Sequence, residues 1–329
     1  MVISVSYHDT VTKLQEVSHE PAGPFDRYDW YALLQDYGTR PVIALGESEY
    51  RRVALPLMEG PSGLESLSNW FTFSWRIWGS NDEWADETLR AIARDLRKRT
   101  RRIDLRLVPG EDDCVDRLQS AFRSAGWMVF RKPCDENHIL YVDGRSFAEY
   151  WSYRSGQMRT TLKRKGKKVD IEIDTVFHED NWRIYQDIYA KSWKPSEERE
   201  DLLEAFARRE GELGHLRLGI ARADGKPVAA QFWTVEKGTA YIHKLAHIEE
   251  ANPLSAGTTL TAAMFEHVID IEKVTLVDFG TGTDAYKSDW MEHRRPRYAL
   301  TCLDWRQPSS WGAIIKQSIR RLAPQKLRS

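Results

Sequence analysis

Residues 274–290, VTLVDFGTGTDAYKSDW, join a short apolar run to a Gly-rich turn and a Tyr-Lys pair. Val274, Leu276 and Val277 predict an interior strand, Asp278 to Asp284 a turn, and Ala285 to Met291 a helix start. Gly280 and Gly282 let the backbone approach another group closely, so Asp278, Tyr286 and Lys287 can converge on one cleft. A carboxylate, a phenol and an ammonium gathered there could exchange protons with a reacting group. The same residues would equally build an ordinary strand-to-helix connection with a core Tyr and a solvated Lys. A second segment, Tyr241 to His247 (YIHKLAH), alternates as a strand, with Tyr241, His243, Leu245 and His247 on one face and Ile242, Lys244 and Ala246 on the other. Lys244 among interior-facing neighbours calls for an anionic partner, a structural carboxylate or a ligand phosphate. An unperturbed histidine has its pKa near neutrality, so His243 can serve as a general base or as a structural donor. The spacing of His243 and His247 makes no metal site without carboxylates. The third segment, Leu254 to Leu260 (LSAGTTL), turns the amides and hydroxyls of Ala256, Gly257, Thr258 and Thr259 toward a helix N-terminus, a place suited to phosphate. It is neither a Walker loop nor a dinucleotide fingerprint.

These segments need a scaffold, and 329 residues are enough for two units with separate cores. In the first part, Pro41–Leu45 and Arg52–Leu57 predict a hairpin, and Asn69–Trp78 an aromatic strand. Asp82–Arg99 reads as an amphipathic helix, Ile103–Val108 as a strand, Val115–Ser124 as a helix closed by Gly126, and Trp127–Phe130 and His138–Val142 as strands. The pattern changes near Asp143-Gly144, so we place the division there: residues 1–144 and 145–329. Beyond it follow a helix from about Ser146, a strand at Asp170–Phe177, helices at Asn181–Ser192 and Ser196–Glu210, and a strand at Leu216–Arg222. The turn Asp224-Gly225 pairs that strand with Pro227–Val235. Thr239–Ala246, the helix Thr258–Ile269 and a last strand at Arg297–Trp305 complete the series. The similar element order in both parts suggests two copies of one α/β fold.

Forty-one per cent hydrophobic and 29% charged residues describe a chain that folds. A net charge of −1 provides no overall field to draw nucleic acid or lipid, so any polyanion must meet a local patch. The densest is Arg154, Arg159, Lys163, Arg164, Lys165, Lys167 and Lys168, which is either a solvated face or a place for phosphate or a tRNA backbone. Three cysteines without a CxxC argue against disulfides and structural metal and fit a reducing cytoplasm. No leader-like N-terminus or 18-residue apolar run occurs, so secretion and membrane spanning are not expected. Most of the 13 Trp read as core anchors. The segment Trp311–Leu322 places Trp311, Ile314, Ile315, Ile319 and Leu322 on one side and is expected to pack on the body, or else to lie in a membrane interface.

With these residues in view, the second half resembles the Gcn5-related N-acetyltransferase (GNAT) superfamily. The nearer likeness is to its CelD/BcsL-like branch (the BioF2-like acetyltransferase domain), related to the FemAB peptidyltransferases. The likeness rests on RTTLKRKGKK, LGIARADGKPVAAQFW, YIHKLAH, LSAGTTL and DFGTGTDAYKSDW, and in the first half on GLESLSNWFTF. It implies tandem GNAT-like folds, each a mixed, mostly antiparallel sheet flanked by helices, the first copy degenerate. It further implies a splay between the strands YIHKLAH and VTLVDFG that admits acyl-CoA (acetyl-CoA). Lys244 and Leu245 would flank the acyl carrier, and Ala256 to Thr259 would take its pyrophosphate. Asp278 or His243 would be the base, Tyr286 the acid for the departing thiolate, and Lys244 and Lys287 electrostatic supports. The acceptor would be an amine or hydroxyl of a small molecule or envelope-polysaccharide precursor. The FemAB kinship implies instead an aminoacyl-tRNA donor, and a third reading is a non-catalytic partner in polysaccharide biosynthesis. Where the family loop carries Pro-Gly, this chain has Ser255-Ala256-Gly257, and the superfamily's fuller Gly-rich signature is missing.

Overall fold

The computed structural model describes residues 2–282 and 284–322, without the side chains of Arg320, Arg321 and Leu322. Thr283, inside the expected turn, lies outside them. Along the chain run β1 (Ser4–His8), α1 (Tyr28–Asp36), β2 (Pro41–Glu47), β3 (Arg52–Gly60), β4 (Gly63–Ser66), β5 (Trp78–Gly79), α2 (Glu83–Asp95), β6 (Arg102–Pro109) and α3 (Cys114–Ser124). After β7 (Met128–Tyr141) come α4 (Phe147–Ser152), α5 (Gly156–Lys165), β8 (Asp170–Asp174), α6 (Glu179–Ala190), α7 (Glu200–Glu212), β9 (Leu216–Ala223), β10 (Lys226–Glu236) and β11 (Thr239–His247). Then follow α8 (Ala256–Glu266), β12 (Leu276–Thr281), α9 (Lys287–Trp290), β13 (His293–Leu303) and α10 (Trp311–Leu322). No helix among the described residues is long and apolar enough to cross a membrane.

Two compact units divide this chain, one up to Glu136 together with the residues from Arg295 onward, the other Asn137–Arg294. The division expected after Gly144 is thus corrected at both ends. The two strands expected at Trp127–Phe130 and His138–Val142 are one continuous strand, β7, that carries the chain from one unit into the next. Local periodicity shows where a strand runs but not which core its partners belong to.

In the first unit β1, β2, β3 and β4 pair antiparallel in order, β4 lies parallel to β6, and β6 pairs antiparallel with β13. Helix α2 begins as its sequence predicts, with the Asp82 carboxylate accepting from the Ala85 N–H at 2.9 Å. The expected aromatic strand does not form beyond Trp78-Gly79. Instead the Trp75 indole donates to the Pro56 carbonyl at 2.8 Å and the Trp78 indole to the Leu14 carbonyl at 3.1 Å, so this run fills the core with the polar tips satisfied. Helix α10 also departs from expectation: Trp311, Ile315 and Ile319 are 56%, 59% and 61% exposed.

The second unit is a six-stranded sheet in the order β8, β9, β10, β11, β12 and residues 137–141 of β7. Every pair is antiparallel except β11 with β12. The β9–β10 turn is the expected Asp224-Gly225, with positive φ at both residues (48° and 74°), the shape that matches strand twist. Neighbouring residues of β10 point to opposite faces. Phe232 meets Trp182 of α6 and Phe206 of α7, whereas Trp233 packs edge-on against Phe265 of α8. Helices therefore cover both faces, and the larger core lies under α8. There Gly219 permits close helix approach, since a Cβ on it would come within 2.7 Å of the Met264 sulfur.

Candidate active site

Strands β11 and β12 are paired over only three positions, Thr239 with Leu276, Ala240 with Val277 and Tyr241 with Asp278. Beyond that fork β11 continues six residues to His247, paired only with β10 among the described residues, and β12 bends toward Asn137 through a register break after Asp278. A parallel pair that stops pairing leaves an edge of backbone amides and carbonyls for another extended group to use. The edge is further shaped by a bulge. On β10 Phe232 faces Lys244 and Trp233 faces Ile242, so His243 is an extra residue without an opposite number. Strict alternation therefore fails at this point, and His243 and Lys244 project to the same side, toward α6 and α7. His243 lies among Phe206 and Phe232, with Nε2 2.8 Å from the Thr234 hydroxyl. Lys244 forms an ion pair with Glu197 at 2.5 Å and lies over the Tyr189 ring. Leu245, opposite Gln231, points the other way and packs against the core under α8.

Past the open stretch the chain turns through Ser255, which holds a left-handed conformation (φ 53°, ψ 39°), into α8. The first intrahelical bond runs from the Thr259 N–H to the Ser255 carbonyl, so the N–H groups of Ala256, Gly257 and Thr258 precede the helical ladder. Lys165, at the end of α5, donates to the Ser255 hydroxyl at 3.0 Å and brings a cation to the positive end of the helix. The Thr259 hydroxyl is turned back onto the Ser255 carbonyl at 3.1 Å. Gly257 allows His247 to lie against the first turn, because a Cβ there would meet Nδ1 at 2.9 Å. The His247 ring is fixed by Asn252, 2.8 Å from Nε2, and by Trp193. Burial, with Lys194 nearby, holds His247 below the usual histidine range.

On the other prong, Asp278 occupies the fork itself. Its Oδ2 accepts from the Asn137 side-chain amide at 2.6 Å and its Oδ1 from the Gly280 N–H at 2.7 Å, which braces the bend in β12. Lys287 is buried rather than solvated, donates to the Thr281 carbonyl and lies over the Phe279 ring. Tyr286 packs edge-on against Phe279, the first residue of β12 past the fork. Burial, reinforced by Asp284, pushes its phenol well above the usual tyrosine range, so it keeps its proton. The described parts of the Asp278–Lys287 segment therefore form a braced turn that presents a protonated phenol.

Residues 156–288 match the profile of the acetyltransferase (GNAT) domain family. That stretch is a GNAT-type acetyltransferase domain. Among solved structures, the chain is similar to FemX (TM-score 0.62, 9% identity, 91% of this chain and 97% of that one). It is also similar to L-PGS from Bacillus licheniformis (TM-score 0.55, 12% identity, 92% and 93%). A tandem GNAT protein from the clavulanic acid biosynthesis pathway shares the fold as well (TM-score 0.53, 13% identity, 91% and 98%). At these identities the likeness is one of fold, and it covers both units. No curated protein matches the sequence.

The GNAT domain contains further groups at the fork that the sequence did not mark. Lys194, in the linker between α6 and α7, is pushed down to about 8 by burial first and then by Lys244 and Lys287, against the pull of Asp284 and Glu197. It thus lies within electrostatic range of both prongs. Two features of the linker, a Lys-Pro step and a run of charges, look in sequence like any solvated connection, so nothing local identifies Lys194 or Glu197. The basic stretch separates into parts. Arg154 pairs with Glu292 and donates to the Trp290 carbonyl. Lys165 reaches α8, and Arg159, Lys163, Arg164, Lys167 and Lys168 stay exposed.

Proposed function

We propose that the GNAT domain moves an acyl group from acyl-CoA, acetyl-CoA being the simplest, to the nitrogen of a small amine. The observation that carries this reading is the three-residue ladder between β11 and β12. It leaves an open amide edge that leads to the bare N–H groups of α8 and to Lys165, a sequence of partners for a pantetheine-like chain followed by a phosphate. In the reaction the amine nitrogen bonds to the acyl carbon and the carbon–sulfur bond breaks. Lys194 takes the amine proton, and Tyr286 gives its proton to the departing thiolate. Asp278 and His243, engaged with Asn137, Gly280 and Thr234, position the strands. Lys244, paired with Glu197, and Lys287 help hold Lys194 unprotonated, and the Lys287 charge steadies developing negative charge. The CelD/BcsL-like branch and an envelope-polysaccharide precursor as acceptor, in the cytoplasm, are the narrower form of this proposal.

The test is ligand-linked stability. Acetyl-CoA at about 100 times its Kd should add about 2.7 kcal/mol to the unfolding free energy. Gly257→Ala should weaken that binding about tenfold, because His247 or the first turn of α8 must move, a displacement whose cost to intrinsic stability the better helix former offsets only in part. No stabilisation by any acyl-CoA at saturating concentration would remove the donor. The aminoacyl-tRNA reading draws support from the likeness to FemX and from the exposed cations of α5 and the residues after it. Binding of a charged tRNA that weakens steeply with salt, without any response to acyl-CoA, would favour it.

Lys194 as the base has its own signature. With an aryl amine acceptor, which stays neutral near neutral pH, kcat/KM should rise as pH passes upward through about 8 and level off above, because only the unprotonated Lys194 amine accepts a proton. Lys194→Met should flatten that limb. A wild-type profile already flat from about pH 6.5 to 9.5 rules this base out.

A further inference from the structure

Beside the fork, α6, α7 and their linker bound a narrow cleft, with room for a water-sized group such as an ammonium, walled by Trp182, Tyr185, Tyr189, Glu197 and Glu200. Trp182, Tyr185 and Glu197 are 1%, 2% and 9% exposed, yet the Trp182 indole N–H, the Tyr185 hydroxyl and Glu197 Oε1 have no hydrogen-bond partner. Buried polar groups are nearly always satisfied, so three orphans around one cleft mark a place where a ligand supplies what the fold does not. Glu197 and Glu200 both act on the Tyr185 and Tyr189 phenols, which places the two carboxylates on the same aromatic wall. Against Glu197 stand the Lys244 ammonium, held by its Oε2, and Lys194, within its electrostatic range. The neighbouring Glu204 is paired with Arg208 at 2.9 Å. The cleft is therefore an electron-rich aromatic box in which Glu197 is matched by lysine and Glu200 forms no ion pair among the described residues, and it is smaller than a site for a whole cofactor.

Such surroundings fit a cation, and they hold it charged. Two carboxylates and aromatic faces raise the pKa of a bound amine, which removes its nucleophilicity. The fork is different: Lys287 stands in electrostatic range of the Lys194 amine that accepts the proton, so the nitrogen that reacts there does so in its neutral form. We infer that the acceptor carries two amine-type groups, a cationic end anchored in the Trp182–Tyr185–Glu197 cleft and a second nitrogen that reaches the fork. This inference rests on the acyl-transfer reading and narrows its acceptor to diamines, polyamines or basic amino acids.

The measurement is calorimetric titration of the full chain, without any acyl donor, with 1,4-diaminobutane and with its uncharged counterpart 1,4-butanediol. The diamine should bind at least tenfold more tightly than the diol. Glu200→Gln, which leaves the Glu197–Lys244 pair untouched, and Glu197→Gln should each weaken the diamine about tenfold. Tyr185→Phe, which removes one oxygen and leaves the ring, serves as a third variant if Glu197→Gln fails to fold. Equal binding of diol and diamine, no diamine binding at millimolar concentration, or variants within twofold of wild type would each overturn the inference. Acetyl-CoA stabilisation with no diamine binding would sink this proposal alone. Diamine binding with no response to acyl-CoA would sink the donor and leave the cationic cleft standing.

Discussion

Tyr286→Phe should lower kcat about 100-fold or more with acetyl-CoA as donor while the KM for donor changes by no more than about threefold. The reasoning starts from the phenol's surroundings. Burial and the nearby Asp284 keep it protonated across the working range, and its ring is held against Phe279 just past the fork, so it can offer a proton where the thiolate departs. Phenylalanine retains the packing and loses only that proton. The decisive control is the leaving group. An acyl donor built on an acidic aryl thiol departs without protonation, so the variant should regain most of the lost rate with it. Equal losses with both donors would show that Tyr286 shapes the turn and does not act as the acid.

Trp233→Ala carries the largest expected cost to folding, about 3–5 kcal/mol in the unfolding transition of the second unit. The side chain is fully buried, its indole N–H donates to Gln231 Oε1 at 2.9 Å, and its ring meets Phe265 edge-on. Gln231 in turn donates to the Thr261 hydroxyl of α8 at 2.6 Å. Truncation would empty the space between β10 and α8 and leave Gln231 half satisfied, loosening the helix whose N-terminus faces the open strands. Denaturant titration gives the number, and Trp233→Phe, which refills most of the space, should cost clearly less. A loss below about 1 kcal/mol for the alanine variant would mean that α8 is not held by this contact.

Much of this architecture could be read from the residues themselves, because it depends on short-range pattern. The DG turn, the onset of α2 at Asp82 and a helix after the LSAGTTL loop follow from local chemistry, although that helix starts at Ala256 rather than Thr258 and β12 runs on to Thr281 where a turn was expected from Asp278. What escaped depends on partners distant in sequence. A bulge exists only relative to the facing strand, so the alternation of Tyr241–His247 placed His243 and Lys244 on opposite faces, whereas β10 places them together. The partner that Lys244 required is Glu197, from a linker whose composition says nothing about its position. Lys287 read equally well as a site residue or as solvated, and its burial beneath Phe279 and Thr281 is set by the tertiary fold. The exposed stripe of α10 was expected to be covered because amphipathicity reports that a helix has an apolar face, not that another surface meets it.

The extra residue in β11 shifts the phase of the strand. Upstream of it, even-numbered residues such as Ala240 and Ile242 belong to the core under α8. Downstream, the odd-numbered Leu245 and His247 take that side. Losing one residue at His243 would therefore be absorbed, with everything beyond keeping its orientation, whereas the same loss at Leu245 would swing the rest of the strand through half a turn. The bulge thus separates the part of β11 that pairs with β12 from the part beyond the fork, so the two can change length independently.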